Sequence, residues 1–197
     1  MKSLFEYIKI YIKSSGVRRN VSLLYSLIMN GCYIVSNILS GIIYRNPWFL
    51  AVSVYYALLL FSRAMLLYKG EKAVKGVAIS LLILVPLMCF MMVYTTVTGS
   101  FRLYSGLLLL FFAVFSVQSF LRAVYGTVKL GKSNEAYGTL SVRLASAGMS
   151  VFNLAAPMIS AAGLDRRFHY IAIIGLGTLV ALPVLISSVS MLLKSKE

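Results

Sequence analysis

The sequence predicts an all-α polytopic membrane protein, a bundle of about six transmembrane helices, with three tandem two-helix hairpins as the candidate arrangement. Three observations predict this fold class. Of the 197 residues, 60% are hydrophobic and 12% are charged, whereas a soluble domain carries about a quarter charged residues. The mean hydropathy is +0.88. Apolar stretches of roughly 20 residues, the length that crosses a bilayer, recur along the whole chain.

Short polar connections divide the apolar sequence into six predicted spans. Their approximate bounds are 21–44, 47–68, 75–98, 103–125, 137–162 and 169–193. We therefore expect a basic amphipathic N-terminal segment over 1–20, a six-helix transmembrane domain over 21–193 and a short cytoplasmic tail over 194–197. The N-terminal segment suits a helix lying on an anionic leaflet, and a mobile positive tail is the alternative. Pro47 is expected in the first turn of the second helix, where its missing N–H costs nothing.

The basic residues predict the orientation of the chain. With alternating spans, fifteen of the nineteen lysines and arginines fall on the side of the two termini. The other side has four, which are Arg45, Arg102, Arg166 and Arg167. Because loops rich in Lys and Arg stay in the cytoplasm, we expect both termini there, in a bacterial cytoplasmic membrane.

The three hairpins resemble one another weakly. Each odd-numbered helix ends with small polar residues, a glycine and then an arginine, as in Ser40, Gly41 and Arg45. Parallel repeats of this kind occur in transporters. The alternative is that short turns and positive-inside topology place similar residues at the end of each odd-numbered helix without common ancestry.

The sequence lacks the residues that several functional classes of membrane protein require. The five acidic residues all fall in predicted connections or tails, namely Glu6, Glu71, Glu135, Asp165 and Glu197. Proton relays and metal-transport sites generally use a carboxylate at membrane depth, and His169 is the single histidine. We expect no metal, no cofactor and no enzymatic activity, because no base can be paired with a nucleophile from the sequence.

The charge and the cysteines point away from two other functions. The net charge of +14 does not indicate nucleic-acid binding, because the basic residues lie between apolar runs instead of on one soluble face. Cys32 and Cys89 lie inside apolar stretches, which predicts buried free thiols rather than a disulfide.

Uncharged polar residues follow helical spacing in two spans. In the first span the stripe comprises Ser26, Asn30, Tyr33, Asn37, Ser40 and Tyr44. In the fifth span it comprises Thr139, Arg143, Ser146, Ser150, Asn153, Pro157 and Ser160. Steps of three and four residues place each set on one helix face, and asparagine is costly against lipid. The candidate polar pathway is therefore Asn30, Tyr33, Asn37, Ser40, Ser146, Ser150 and Asn153.

The two stripes have two interpretations. They line a hydrated cavity for a polar solute or ion, or they hold helices together through interhelical hydrogen bonds. Arg63, Arg122 and Arg143 lie near the predicted inner ends and form a candidate inner basic rim. Their side chains either snorkel to the headgroups or form a vestibule that attracts anions and anionic lipid headgroups.

Short motifs along most of the chain resemble those of a family of small six-helix bacterial membrane proteins of uncharacterised function. They are Trp48 to Leu50, Tyr55 to Leu60, Arg63, Arg122, Lys129 to Ser133 and the segment from Arg143 to Gly163. The resemblance implies a six-helix membrane fold and no particular activity.

The segments 37–41 and 48–53 are also similar to the first hairpin of the cation diffusion facilitators, a weaker resemblance limited to their transmembrane domain. That family places Asp or His metal ligands in its second and fifth helices. At those places this chain has Tyr55 and Tyr56, and Ser150 and Asn153. The resemblance therefore implies a related bundle without the metal site.

The sequence thus favours a channel-like or transporter-like protein that moves a small uncharged or monovalent solute through a polar, carboxylate-free pathway. The alternative is a non-transporting membrane scaffold, regulator or immunity-type protein that acts through helix–helix interactions. The expected partners are the lipid bilayer and anionic headgroups at the cytoplasmic face, and a homo-oligomer is compatible with either function.

Overall fold

The fold is a bundle of α-helices, as predicted. The computed structural model describes residues 15–98, 113–118, 120–121, 134–162 and 165–194. Its helices are α1 (Ser15–Ile43), α2 (Pro47–Lys69), α3 (Val74–Thr98), α4 (113–118 and 120–121), α5 (Asn134–Ala161) and α6 (Arg166–Lys194), with a 3₁₀ turn at Gly70–Ala73. The predicted fourth span, 103–125, lies largely outside the described residues, as do the termini at 1–14 and 195–197.

Among the residues that the structure describes, four helical segments are long and apolar enough to cross a membrane. They are Pro47–Lys69, Val74–Thr98, Tyr137–Ser160 and Arg166–Leu193, and a shorter apolar segment covers Leu27–Ile43. The outer surface is apolar, with exposed side chains such as Ile42, Val54, Phe61, Val93 and Leu179. A soluble protein rarely exposes so much contiguous apolar surface. The chain is therefore a membrane protein.

Two sequence expectations differ from the structure. α1 begins at Ser15, six residues before the predicted start at 21, so the end of the expected N-terminal segment belongs to the same helix. Cys32 and Cys89 are free, but both are exposed on the outer surface instead of packed inside. An uncharged thiol is small and weakly polar, so lipid solvates it without a hydrogen-bond partner.

The helices pack across hairpins as well as within them. α2 contacts α1, α3 and α5, whereas α3 contacts α2, α5 and most extensively α6. The hairpins α1–α2 and α5–α6 are both closely packed. α2 and α5 thus lie side by side near the centre, and α4 reaches them through Phe115, whose ring meets Tyr56 edge-on.

The α1–α2 turn is closed by local hydrogen bonds. Asn46 caps α2, since its side-chain oxygen accepts from the N–H of Trp48, and Pro47 is the first helical residue as expected. The Tyr94 hydroxyl donates to the same oxygen at 3.1 Å, which joins α3 to this turn. Capping of this kind stabilises a helix by about 1 kcal/mol.

Glycines let α6 approach its neighbours closely. A Cβ on Gly148 of α5 would lie 2.5 Å from Val180 Cγ1 of α6. A Cβ on Gly177 of α6 would overlap the side chain of Met92 in α3. Small residues at such crossings are typical of helix pairs in membranes, where van der Waals contact drives association. These contacts fix where the polar face of α5 points.

Candidate functional site

The polar stripe of α1 faces the interior. Asn30, Tyr33, Asn37 and Ser40 are all buried, whereas Tyr44 at the end of the stripe is exposed. The Asn37 amide donates to the Tyr33 carbonyl oxygen at 2.8 Å, so part of its polarity is satisfied within the helix.

The polar stripe of α5 also faces the interior. Ser146, Ser150 and Pro157 are buried, and Asn153 is half-buried. The Ser150 hydroxyl donates to the Ser146 carbonyl oxygen at 2.8 Å. The sequence predicted both faces, but it did not predict which helix each face meets.

Tyrosine hydroxyls join the stripes to each other and to α2. The Asn153 amide of α5 donates to the Tyr33 hydroxyl of α1 at 3.2 Å. The hydroxyls of Tyr56 in α2 and Ser150 in α5 are 3.2 Å apart. We call the group Tyr33, Asn37, Tyr56, Ser150 and Asn153 the polar cluster. Three helices thus supply polar atoms to one buried position.

Aromatic rings enclose the polar cluster on one side. Tyr33 stacks on Phe115 of α4 with ring centroids 3.9 Å apart and an interplanar angle of 7°. Tyr33 meets Tyr56 edge-on at 4.7 Å. Stacked and edge-on geometries favour tight aromatic packing. The hydrogen-bonding atoms of the cluster therefore sit against an apolar wall.

Tyr56, Phe115 and Ser116 were not among the predicted site residues. Tyr55 and Tyr56 appeared only through the resemblance to cation diffusion facilitators, at the places of metal ligands in that family. Tyr55 instead donates its hydroxyl to the Ala145 carbonyl oxygen at 3.0 Å and packs α2 on α5. Because α2 is apolar on nearly all of its faces, Tyr55 and Tyr56 do not belong to a polar stripe at helical spacing that the sequence would reveal.

Two buried polar atoms have no hydrogen-bond partner among the described residues. They are the Asn153 side-chain oxygen and the Ser116 hydroxyl of α4, and Ser116 is 2% exposed. A buried polar group without a partner costs about 1–3 kcal/mol. Water or a solute with hydrogen-bonding groups would remove that cost. The Asn153 oxygen belongs to the polar cluster, whereas Ser116 follows Phe115, whose ring stacks on Tyr33.

The predicted inner basic rim is described in part. Arg63 of α2 and Arg143 of α5 are both half-buried, whereas Arg122 lies outside the described residues. Arg63 follows Tyr56 by seven residues, so the two lie on the same face of α2. The two described arginines therefore belong to the helices that form the cluster.

Sequence reasoning missed one pair at the α5–α6 turn. The Ser160 hydroxyl is 3.0 Å from His169 Nε2, a hydroxyl–imidazole pair that the sequence did not reveal. The pair arises because the turn folds α6 back on α5. Asp165 does not orient the imidazole, since its carboxylate accepts from the Arg166 N–H as a cap of α6.

In the described part of the chain, no group of three or more His, Cys, Asp or Glu side chains could hold a metal ion. The hydrogen-bonding side chains of the polar cluster are phenol, hydroxyl and amide groups. Such groups bind neutral solutes more readily than divalent metals. Comparison of the chain with protein-family models, curated proteins and solved structures found no match.

Proposed function

We propose that the protein is a channel-like or transporter-like membrane protein that moves a small uncharged or monovalent solute. The path runs between α1, α2 and α5 through the polar cluster. The observation that carries the proposal is that two buried atoms have no hydrogen-bond partner among the described residues. They are the Asn153 oxygen, which belongs to the cluster, and the Ser116 hydroxyl of α4, which follows in sequence the Phe115 that stacks on Tyr33. Both offer hydrogen bonds to a passing solute.

The chemistry of the cluster supports an uncharged or monovalent solute. Its polar groups are hydroxyls and amides, which exchange hydrogen bonds with water or a neutral solute at little net cost. A divalent cation would need carboxylates to offset its dehydration. The sequence has five acidic residues, and none lies in a described apolar span. The proposal includes no catalytic step.

The proposed setting is a bacterial cytoplasmic membrane with both termini in the cytoplasm. The distribution of lysines and arginines supports this orientation. At the cytoplasmic face, exposed Lys69, Lys72 and Lys75 would contact anionic headgroups.

A flux measurement tests the proposal. Purified protein in liposomes is mixed with hyperosmotic urea, glycerol or a monovalent salt, and swelling is followed by stopped-flow light scattering. We expect at least one solute to enter faster than into empty liposomes, and Asn153→Leu to abolish the difference. Met158→Leu on the exposed side of the same helix is the matched control, and it should leave the flux unchanged. Equal rates with and without protein for every solute would contradict the proposal.

A second function has one observation in its favour. Most polar atoms of the cluster bond to one another, as Tyr33 does to Asn153 and Tyr56 to Ser150, which is how packing seams in membranes are held. This favours the non-transporting scaffold, regulator or immunity-type protein. Under that function Asn153→Leu would lower thermal stability while no solute flux exists to be lost.

A further inference from the structure

The polar stripe of α5 contains a proline inside the helix. Pro157 lies within α5 and is buried. In an α-helix the carbonyl oxygen of each residue accepts from the N–H four residues later, and proline has no N–H. The carbonyl oxygen of Asn153 therefore has no donor at position 157. Because residues four apart lie on one helix face, this oxygen is on the same stripe as the Asn153 side chain.

The side chain of Asn153 offers a second acceptor. Its amide nitrogen donates to the Tyr33 hydroxyl at 3.2 Å, which directs that end of the amide toward α1. Its side-chain oxygen is buried and has no hydrogen-bond partner among the described residues. Two oxygens of a single residue, one in the backbone and one in the side chain, thus lack donors at the same depth of α5.

Two hydroxyls of the polar cluster use their protons elsewhere. A hydroxyl has one proton, and Ser150 donates its proton to the Ser146 carbonyl oxygen at 2.8 Å. In the 3.2 Å contact between Ser150 and Tyr56, the proton therefore comes from Tyr56. Neither hydroxyl has a proton left to donate to the Asn153 oxygens.

The other two prolines in the interior of a described helix lie on the lipid-facing surface. Pro86 in α3 and Pro183 in α6 are exposed. The carbonyls that they leave without a helical donor belong to Leu82 and Leu179, which are exposed as well. Within the described helices, Pro157 is thus the proline whose missing N–H affects a carbonyl on a buried polar stripe.

Two acceptor oxygens favour a ligand that donates hydrogen bonds. An inorganic anion offers acceptors, so these oxygens would not bind it. A dehydrated monovalent metal ion requires a ring of oxygens, as in the carbonyl filters of cation channels. An alcohol hydroxyl donates one hydrogen bond, whereas the NH₂ group of an amide donates two. Two acceptors without charge therefore match the NH₂ group of a neutral amide.

We propose that the two oxygens of Asn153 bind the NH₂ group of a neutral amide solute, and that Pro157 determines this specificity. The inference rests on the proposed function in taking the polar cluster as the place where a solute binds. Urea and the simple primary amides are the smallest members of the class. Pro157 offers no hydrogen bond of its own from its side chain or N, and it acts by leaving the Asn153 carbonyl oxygen available.

Binding of acetamide to the purified full-length protein tests the site without a transport assay. The protein is held in a neutral maltoside detergent, and Kd is obtained from the dependence of Tm on acetamide concentration. N,N-dimethylacetamide, which has no N–H, is the reference. We expect acetamide to raise Tm saturably above the reference. Pro157→Ala restores an N–H, and Asn153→Leu removes the side-chain oxygen. Each should raise Kd about threefold to tenfold, the loss expected for one hydrogen bond.

Pro183→Ala is the matched control for Pro157→Ala. It also introduces an N–H into the interior of a helix, but on the exposed face of α6. It should therefore change Kd by less than about twofold. Alanine favours the helix over proline at both positions, and the unfolding midpoint without acetamide shows that each variant is folded.

Binding and transport have separate outcomes. Saturable binding of acetamide without flux of any solute in liposomes would contradict the proposed function and leave the amide site standing. Flux of a neutral solute, together with equal Tm responses to acetamide and N,N-dimethylacetamide, would overturn the amide site and leave the proposed function standing. Equal Kd values for wild type and Pro157→Ala would overturn the role of Pro157, as would equal losses in Pro157→Ala and Pro183→Ala.

Discussion

Replacing Gly148 by alanine should loosen the contact that orients the polar face of α5. The new Cβ would lie 2.5 Å from Val180 Cγ1, whereas carbon atoms pack at about 3.5–4.0 Å. Val180 cannot turn away easily, because a β-branched side chain in a helix has one strongly preferred rotamer. The two helices must therefore separate by about 1 Å, and overpacking of this kind costs about 1–3 kcal/mol.

Gly175→Ala is the matched control for this substitution. A Cβ at Gly175 in α6 would meet nothing within 4 Å. Because both changes replace glycine by alanine within a helix, the gain in helix propensity of up to about 1 kcal/mol is common to both. The difference in the free energy of unfolding between the two variants thus reports the clash with Val180.

Thermal unfolding of the purified protein in a neutral detergent, followed by circular dichroism, measures that difference. For a chain of this length about 1 kcal/mol corresponds to roughly 2–4 °C in Tm. We expect Gly148→Ala to unfold several degrees below Gly175→Ala, and Val180→Ala added to Gly148→Ala to recover part of the loss. Equal Tm values for the two glycine variants would show that α5 and α6 do not approach as closely as described.

Three further predictions concern a turn, a hydrogen bond and the lipid-facing surface. Gly70→Ala should lower the free energy of unfolding by about 1–3 kcal/mol, because Gly70 has φ 55° and ψ −130°, a backbone conformation essentially restricted to glycine, and open space around it; an unchanged Tm in detergent would contradict this. Tyr55→Phe removes the hydroxyl that bonds to the Ala145 carbonyl and should cost about 0.6–2 kcal/mol, measured in the same melt. Cys32 and Cys89 are exposed on the apolar surface, so a lipid-soluble maleimide should label both while a membrane-impermeant one labels neither; labelling by the impermeant reagent would place them in contact with water.

The first and last residues of a helix could be predicted closely where hydropathy alone determines them. The predicted spans 47–68 and 75–98 match α2 and α3 within one residue at each end. The start of α1 could not be predicted in this way, since residues 15–20 include Gly16, Arg18 and Arg19, which carry no apolar signal. A helix can continue past the apolar segment because its backbone hydrogen bonds do not depend on lipid.

The candidate site could be predicted only in part. Periodicity identified the buried faces of α1 and α5, because lipid excludes asparagine at mid-depth. It could not identify Tyr56 as the partner of Ser150, because that relation depends on which helices pack together. The pairing of Ser160 with His169 depends likewise on how the α5–α6 turn folds, which no spacing in the sequence specifies.

Water accessibility of the polar cluster tests the central claim most directly. In a protein lacking Cys32 and Cys89, single cysteines are placed at the buried positions Asn37, Ser150 and Asn153, with Ile38 as an exposed apolar control on α1. A membrane-impermeant thiol reagent is then applied from each side of sealed vesicles. The hydrated pathway predicts labelling within the cluster and none at Ile38. Complete protection of the cluster from both sides would contradict a water-filled path and leave the stripes as helix-packing seams.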